Sequence, residues 1–298
     1  MPPMLTAEPL GLIAGAGRFP HLVAAGARAA GRRVVTVALR GNADESLRDE
    51  SDSFHRAGIV RAGRWVRLLR RAGVREAILA GGVDKSQMLR HPWWRQWLAY
   101  LPDWTSIRIW YFRAPDRRND ALLRSLAETL EARGIRLIDS TTYCRDALAP
   151  PGVLTGRRPN AAQQADINLG WRIARALGRL DVGQAVAVKD KDILAVEAIE
   201  GTERMIARAG ALCPKGGWTL VKVAKPGQDM RFDVPAVGSA TIEQLAAARA
   251  AALVIEAGRT LMLDREAMIA AADRAGIVIV SIREDAAASN PDEERPAV

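Results

Sequence analysis

The apolar residues of this chain fall into two kinds of run. Short uninterrupted ones, LGLIAG (10–15), RVVTVAL (33–39), VREAILAGGV (74–83) and IRLIDS (135–140), read as strands buried on both faces. Between them the apolar period is helical. FPHLVAAGARAAG (19–31) has Pro20 in its first turn and Gly31 at its end, a helix follows over roughly 65–72, and DALLRSLAETLEARG (120–134) puts Leu122, Leu123, Leu126 and Leu130 on one face. Strand–helix alternation with short connections predicts a parallel, doubly wound sheet.

APPGVLTGRRP (149–159) breaks the pattern: it is rich in Pro and Gly and has no period. Beyond it the pattern predicts a helix over 160–177, strands over 184–189 and 193–199 around the turn DKD, a helix over 202–211 and a strand over 219–225. An irregular loop leads to a helix over 242–252, strands over 252–258 and 260–264, a helix over 265–275 and a strand over 277–282. Adjacent strands imply hairpins, and so a mixed sheet. The expected organisation is an N-terminal nucleotide-binding or lid domain at 1–150, a C-terminal catalytic domain at 151–283 and a disordered tail at 284–298.

Composition narrows the class. The 298 residues are 49% hydrophobic and 26% charged, enough apolar content for a substantial core. No run approaches the roughly 18 apolar residues of a membrane span, and MPPMLTAEP has no basic stretch before its short apolar run, which argues against a signal peptide. Cys144 and Cys213 lie far apart without a partner pattern and read as reduced thiols of a cytoplasmic protein. The net charge of +9 suits polyanions in general: nucleic acid, an anionic membrane or phosphorylated ligands. HPWWRQWLAYLPDWTSIRIWYFRAPDRR (91–118) interleaves five of the eight Trp with Arg. It is read either as a grip for an acyl chain or membrane surface, or as aromatics packed into the domain.

Three places carry candidate chemistry. Gly15 and Gly17, in GAGRFP, stand at a strand-to-helix turn where backbone N–H groups approach a phosphate. The dinucleotide fingerprint wants a third glycine where Pro20 stands and an acid near Arg40-Gly41, so a nicotinamide cofactor is a weak reading and a tight turn an equal alternative. Gly81, Gly82 and Lys85, in AGGVDKSQ, follow another strand, where open α/β sheets bind ligands. The third is the second half's charge set. Glu197 and Lys222 interrupt apolar strands and so need a partner or a ligand, each other included. Glu200 and Thr202 stand at a turn into a helix, with Thr202 as its expected N-cap. Lys225, Gln228, Asp229, Arg231 and Asp233 crowd the loop KPGQDMRFDVP, whereas DKD (190–192) reads as a solvated hairpin turn. Carboxylates with Lys and Arg suit phosphoryl chemistry: the acids hold Mg²⁺, and the cations neutralise charge on phosphoryl oxygens. The three His all lie in the first half, and no P-loop, GxSxG or Nudix run is present.

The runs LDVGQAVAVKDKDILAVEAIEGTERMI (180–206), LVKVAKPGQDMRFDVPAVG (220–238) and VIEAGRTLMLDREAMI (254–269) resemble the LpxI-type UDP-2,3-diacylglucosamine pyrophosphatases of lipid A biosynthesis. LGLIAGAGRFP, AGGVDK, DALLRSL and GVLTGRRPN agree in order and position. The resemblance implies an α/β chain of two domains, an N-terminal Rossmann-like parallel sheet and a C-terminal mixed-sheet α/β hydrolase domain. It implies Mg²⁺-dependent hydrolysis of UDP-2,3-diacylglucosamine to UMP and 2,3-diacylglucosamine 1-phosphate, and contact with the inner face of the cytoplasmic membrane. A homodimer is expected, and no nucleic-acid partner. On this reading Asp229 is the first catalytic carboxylate and Asp233 the second, with Glu197 and Glu200 as supporting metal ligands. Lys222, Lys225 and Arg231 hold phosphoryl oxygens, and Thr202 and Gln228 are hydrogen-bonding neighbours. The alternatives are an NAD(P)-dependent oxidoreductase using Gly15 and Gly17, and a basic module binding membranes or nucleic acid.

Overall fold

A computed structural model describes residues 8–83, 103–108, 119–225, 228–232 and 234–283. It divides into two compact units, Met1–Arg145 with Met230–Phe232, and Asp146–Asp229 with Asp233–Val298. Lys85, Asp233, the tail at 284–298 and most of the Trp-rich segment lie outside the described residues.

The first unit is built on strands β1 (Leu10–Ala14), β2 (Val34–Leu39), β3 (Ser53–Ala57), β4 (Glu76–Ala80) and β5 (Arg136–Leu137). They form one parallel sheet in the order β3-β2-β1-β4-β5. Every residue of β1 and β2 is buried, which is why their sequences are unbroken apolar runs rather than alternating ones. Helices α1 (Phe19–Ala29), α2 (Ala62–Arg71), α3 (Trp104–Arg108) and α4 (Asn119–Glu131) accompany the sheet. Trp65 and Leu69 of α2 and Leu126 and Leu130 of α4 fill one core with Val35, Val37 and Leu39. The chain steps outward from β1 to β2 to β3, then returns to the other side of β1 for β4. Strand order therefore reverses between β1 and β4, the Rossmann-like arrangement, and open sheets of this kind in general bind ligands at the carboxyl ends of the strands where the order reverses.

The edge strand β3 has no counterpart in the apolar pattern. Its sequence, SFHRA, buries only Ala57, so no alternation marks it. The pattern consequently reads β4 as the third strand of the unit.

The second unit holds a six-stranded mixed sheet, in the order β6-β13-β11-β9-β7-β8. Its strands are β6 (Gly152–Val153), β7 (Ala185–Lys189), β8 (Asp192–Val196), β9 (Thr219–Lys222), β11 (Ala252–Glu256) and β13 (Val278–Ile282). The central three, β9, β11 and β13, are parallel, and the β7–β8 hairpin and β6 add antiparallel edges. Successive residues face opposite ways. Val186, Val188, Val221 and Val254 pack with Ile167 and Trp171 of helix α5 (Ala161–Arg179). Ala185, Ala187, Leu220, Leu253 and Ile255 pack on the other face. There they meet helices α6 (Thr202–Leu212), α7 (Ser239–Ala247) and α8 (Arg265–Ala275).

Two expectations are corrected here. The adjacent strands at 252–258 and 260–264 do not form a hairpin: β12 (Leu261–Met262) pairs in parallel with β10 (Ala236–Val237) in a separate two-stranded sheet. And Thr202 does not cap α6; Gly201, at φ 81°, occupies the cap position, and Thr202 is the first helical residue. The DKD turn is a hairpin turn as expected. Asp190 and Lys191 both have positive φ, and buried Asp166 of α5 accepts their backbone N–H groups at 3.1 and 2.7 Å.

Candidate active site

In the second unit the carboxyl ends of the parallel strands gather most of the motif residues. Strand β9 ends at Lys222, whose Nζ lies 3.4 Å from the carbonyl of Ala236. Lys222 is the register partner of Ala185, and Ala185 accepts the backbone N–H of Glu197 at 2.9 Å. Glu197 and Lys222 thus flank one residue from opposite sides. The Glu197 side chain is buried, 7% exposed, and accepts the Thr202 hydroxyl at 2.8 Å and the Gln184 N–H at 3.4 Å. Thr202 is therefore the partner that satisfies a buried acid, a role its helix-start position did not disclose. Glu200 pairs with Arg208 at 2.5 Å, and that guanidinium, by hydrogen bonding, holds the carboxyl below the usual carboxylate range.

Past β9 the chain makes a tied turn. The Lys225 N–H donates to Gln228 Oε1 at 2.8 Å, and the Gln228 N–H donates to the Lys225 carbonyl at 3.0 Å. Lys225 Nζ reaches Asp181 at 2.7 Å. Nε2 of Gln228 is buried with no hydrogen-bond partner among the described residues. Asp229 follows directly and is half-buried. Arg231 and its neighbours fold with the first unit. There Met230 accepts the Ser140 N–H, the Arg231 carbonyl lies 2.8 Å from the Ser140 hydroxyl, and the Arg231 guanidinium sits 5.1 Å from the centre of the Phe232 ring.

One charged group of this edge carried no sequence prediction. Glu256 ends β11, is 1% exposed, and accepts the Ala224 N–H at 2.8 Å and Arg175 at 3.4 Å. A charge inside an apolar strand was the signal that singled out Glu197 and Lys222, and VIEAG carries the same signal.

In the first unit the two glycine turns are joined. Ala16 and Gly82 exchange backbone hydrogen bonds of 2.7 and 3.0 Å. A Cβ on Gly15 would stand 2.4 Å from the Gly82 carbonyl oxygen, and one on Gly81 2.6 Å from that of Ala16. These two glycines are required by the close approach of the backbones. Gly17, at φ 94°, and Gly82 have open space where a Cβ would be. The first turn of α1, which follows Gly17, carries no acid. At the end of β2, a polar cavity of about 420 Å³ is lined by Arg40, Gly41, Glu45 and Arg56. A larger groove of about 510 Å³ between α6 and α7 is apolar and contains none of the motif residues.

Among the described residues no three His, Cys, Asp or Glu side chains converge as a metal site. Mg²⁺ needs only one or two carboxylates when phosphate oxygens and water complete its shell, so a Mg²⁺ site on phosphate does not require such a cluster. Glu197 and Glu200 are already engaged with Thr202 and Arg208. No helix among the described residues is long and apolar enough to cross a membrane.

Comparison with known proteins supplies the family. The LpxI N-terminal domain model matches residues 9–147 and the LpxI C-terminal domain model residues 150–280. The chain belongs to the LpxI family. A relative from Caulobacter vibrioides, named UDP-2,3-diacylglucosamine pyrophosphatase LpxI, is 35% identical over 284 residues, 92% of this chain and 97% of its own length. Among solved structures, a nucleoside-diphosphate-sugar epimerase from Pseudomonas aeruginosa covers 95% of this LpxI-family chain and 83% of its own. Its identity of 14% and TM-score of 0.27 are too low to bear on fold or function.

Proposed function

We infer that this chain is a UDP-2,3-diacylglucosamine pyrophosphatase of lipid A biosynthesis, cleaving its substrate to UMP and 2,3-diacylglucosamine 1-phosphate. The observation that carries this is the end-to-end family match, with both LpxI domain models in order along the chain.

The reaction adds water across a phosphoanhydride. A water molecule loses a proton as it attacks one phosphorus, and the bridging oxygen leaves with the other phosphate. Asp229 is proposed to take the proton or to hold the metal, from a loop fixed by the Lys225–Gln228 turn. Asp233 is the second proposed carboxylate. Lys222 and Lys225, at the end of β9, are proposed to hold phosphoryl oxygens, and Arg231 is proposed in the same role. Nε2 of Gln228, without a partner among the described residues, is proposed as a further donor for a phosphoryl oxygen. A bound Mg²⁺ would neutralise the diphosphate and lower the pKa of its water. Glu197 is better suited to fixing Thr202 and Gln184 than to holding metal, because its carboxylate is already hydrogen-bonded and buried. Gly15, Gly17, Gly81, Gly82 and Lys85 are proposed to receive the nucleotide end.

Peripheral contact with the inner face of the cytoplasmic membrane and a homodimer complete this reading. The net charge of +9 supports the first, since anionic lipid attracts basic proteins. Vesicle co-sedimentation and light scattering test the two in turn.

The direct test is incubation of the purified protein with UDP-2,3-diacylglucosamine and Mg²⁺. UMP and a glycolipid monophosphate should appear together, and chelation should stop both. No release with any divalent ion would overturn the assignment.

A further inference from the structure

We propose that Glu256 is a positioning residue for the cleavage: its carboxylate sets the backbone that carries Lys225 and Asp229. This rests on the reading of Asp229 as the catalytic carboxylate.

Glu256 stands in the middle of the sheet, paired with β13 on one side and one register step beyond the last β9 pair, Ile255 with Lys222, on the other. It is the most deeply buried carboxylate among the described residues. A buried carboxylate adds little stability over an apolar side chain of the same size, because desolvation offsets its ion pairs. Its presence calls for a reason other than packing, and its hydrogen bonds supply one. At the end of β9 the N–H of Val223 still donates to Gln184. Ala224 is the next residue, and its N–H needs another acceptor. Glu256 Oε2 provides it at 2.8 Å, while Oε1 lies 3.4 Å from Arg175 and 3.5 Å from Arg259. The following N–H, of Lys225, goes to the Gln228 side chain, and the Gln228 N–H returns to the Lys225 carbonyl. Asp229 is next in the chain. Three successive anchors thus run from the sheet to Asp229, and Glu256 is the first of them.

The substitution Glu256→Gln keeps the shape and one acceptor but removes the charge that orients the carboxylate between the two arginines. The expected result is a kcat lower by about 30-fold, roughly 2 kcal/mol in the barrier, with KM within about threefold. Amide exchange in the peptide spanning 223–229 should rise by about tenfold while the rest of the second unit stays protected. A variant with kcat within about threefold of wild type, or with unchanged exchange at 223–229, overturns the proposal. Should that variant not fold, Glu256→Asp decides by the same criteria, since it keeps the charge but draws the acceptor back from Ala224. Wild-type turnover separates the two claims. If the wild type releases no UMP, the functional reading fails, and the exchange measurement still reports on the Glu256–Ala224 anchor.

Discussion

Lys225 and Gln228 hold each other twice, through the Lys225 N–H on Gln228 Oε1 and the Gln228 N–H on the Lys225 carbonyl. The side-chain amide closes the turn that the backbone alone closes only once. Gln228→Ala removes that closure together with Nε2, which has no partner among the described residues. The expected loss is about tenfold in kcat, near 1.4 kcal/mol, with a melting temperature within about 3 °C of wild type. Steady-state UMP release and a thermal melt check it. An unchanged kcat would mean the turn has no part in the chemistry.

The glycine turns of the first unit separate by substitution. Gly15→Ala places a methyl group 2.4 Å from the Gly82 carbonyl oxygen, where backbone must move, and should cost at least about 2 kcal/mol of stability. Gly17→Ala meets no atom within 4 Å, so only its positive φ is penalised, about 1 kcal/mol. Urea denaturation of the two variants should therefore rank Gly15 as the more damaging. KM for the substrate should rise in Gly17→Ala if a ligand approaches there. The reverse ranking in urea would contradict the joined-turn geometry.

Lys225 and Asp181 pair at 2.7 Å in a half-exposed position. Such pairs contribute less than about 1 kcal/mol. Asp181 has positive φ, which Asn tolerates well, so Asp181→Asn should leave the melting temperature nearly unchanged. Lys225→Met should lower kcat/KM by about tenfold or more if the ammonium holds a phosphoryl oxygen. Equal effects of the two variants would reduce Lys225 to a structural ion pair.

Burial pushes the Cys144 thiol up from 9.0 to about 11, with Asp139 adding a smaller push the same way. The folded chain keeps a proton that the unfolded chain gives up, so this contribution to stability is present below pH 9 and lost as pH climbs toward 11. At pH 8 a thiol reagent should modify the half-buried Cys213 first and Cys144 only on unfolding. Mass spectrometry of the partly labelled protein decides which thiol reacts. Fast labelling of Cys144 would contradict its burial.

Much of the fold was legible because burial on both faces writes itself as unbroken apolar runs. β1, β2, β11 and β13 stand where LGLIA, VVTVAL, ALVIE and VIVSI mark them. What the pattern did not carry was strand partnership and edge strands. β3 buries one residue of five, and β12 is too short to show that it pairs with β10 rather than with its neighbour in sequence. The charged residues of apolar strands, Glu197 and Lys222, flank Ala185 at the ends of β8 and β9, on the edge that leads into the loop of Asp229. The same signal stands at Glu256, but its meaning lies in the N–H of Ala224, a contact across strands that no local spacing encodes. Nor does sequence show that Gly15 and Gly81 answer to each other's backbone while Gly17 stands open.

The central claim is that Asp229 carries the cleavage, and the purified Asp229→Asn variant tests it in a single-turnover assay with UDP-2,3-diacylglucosamine and Mg²⁺. Substrate binding should persist while the rate of UMP formation falls by about 100-fold or more, at least 2.7 kcal/mol in the barrier. A rate within about threefold of wild type, under about 1 kcal/mol, would contradict it.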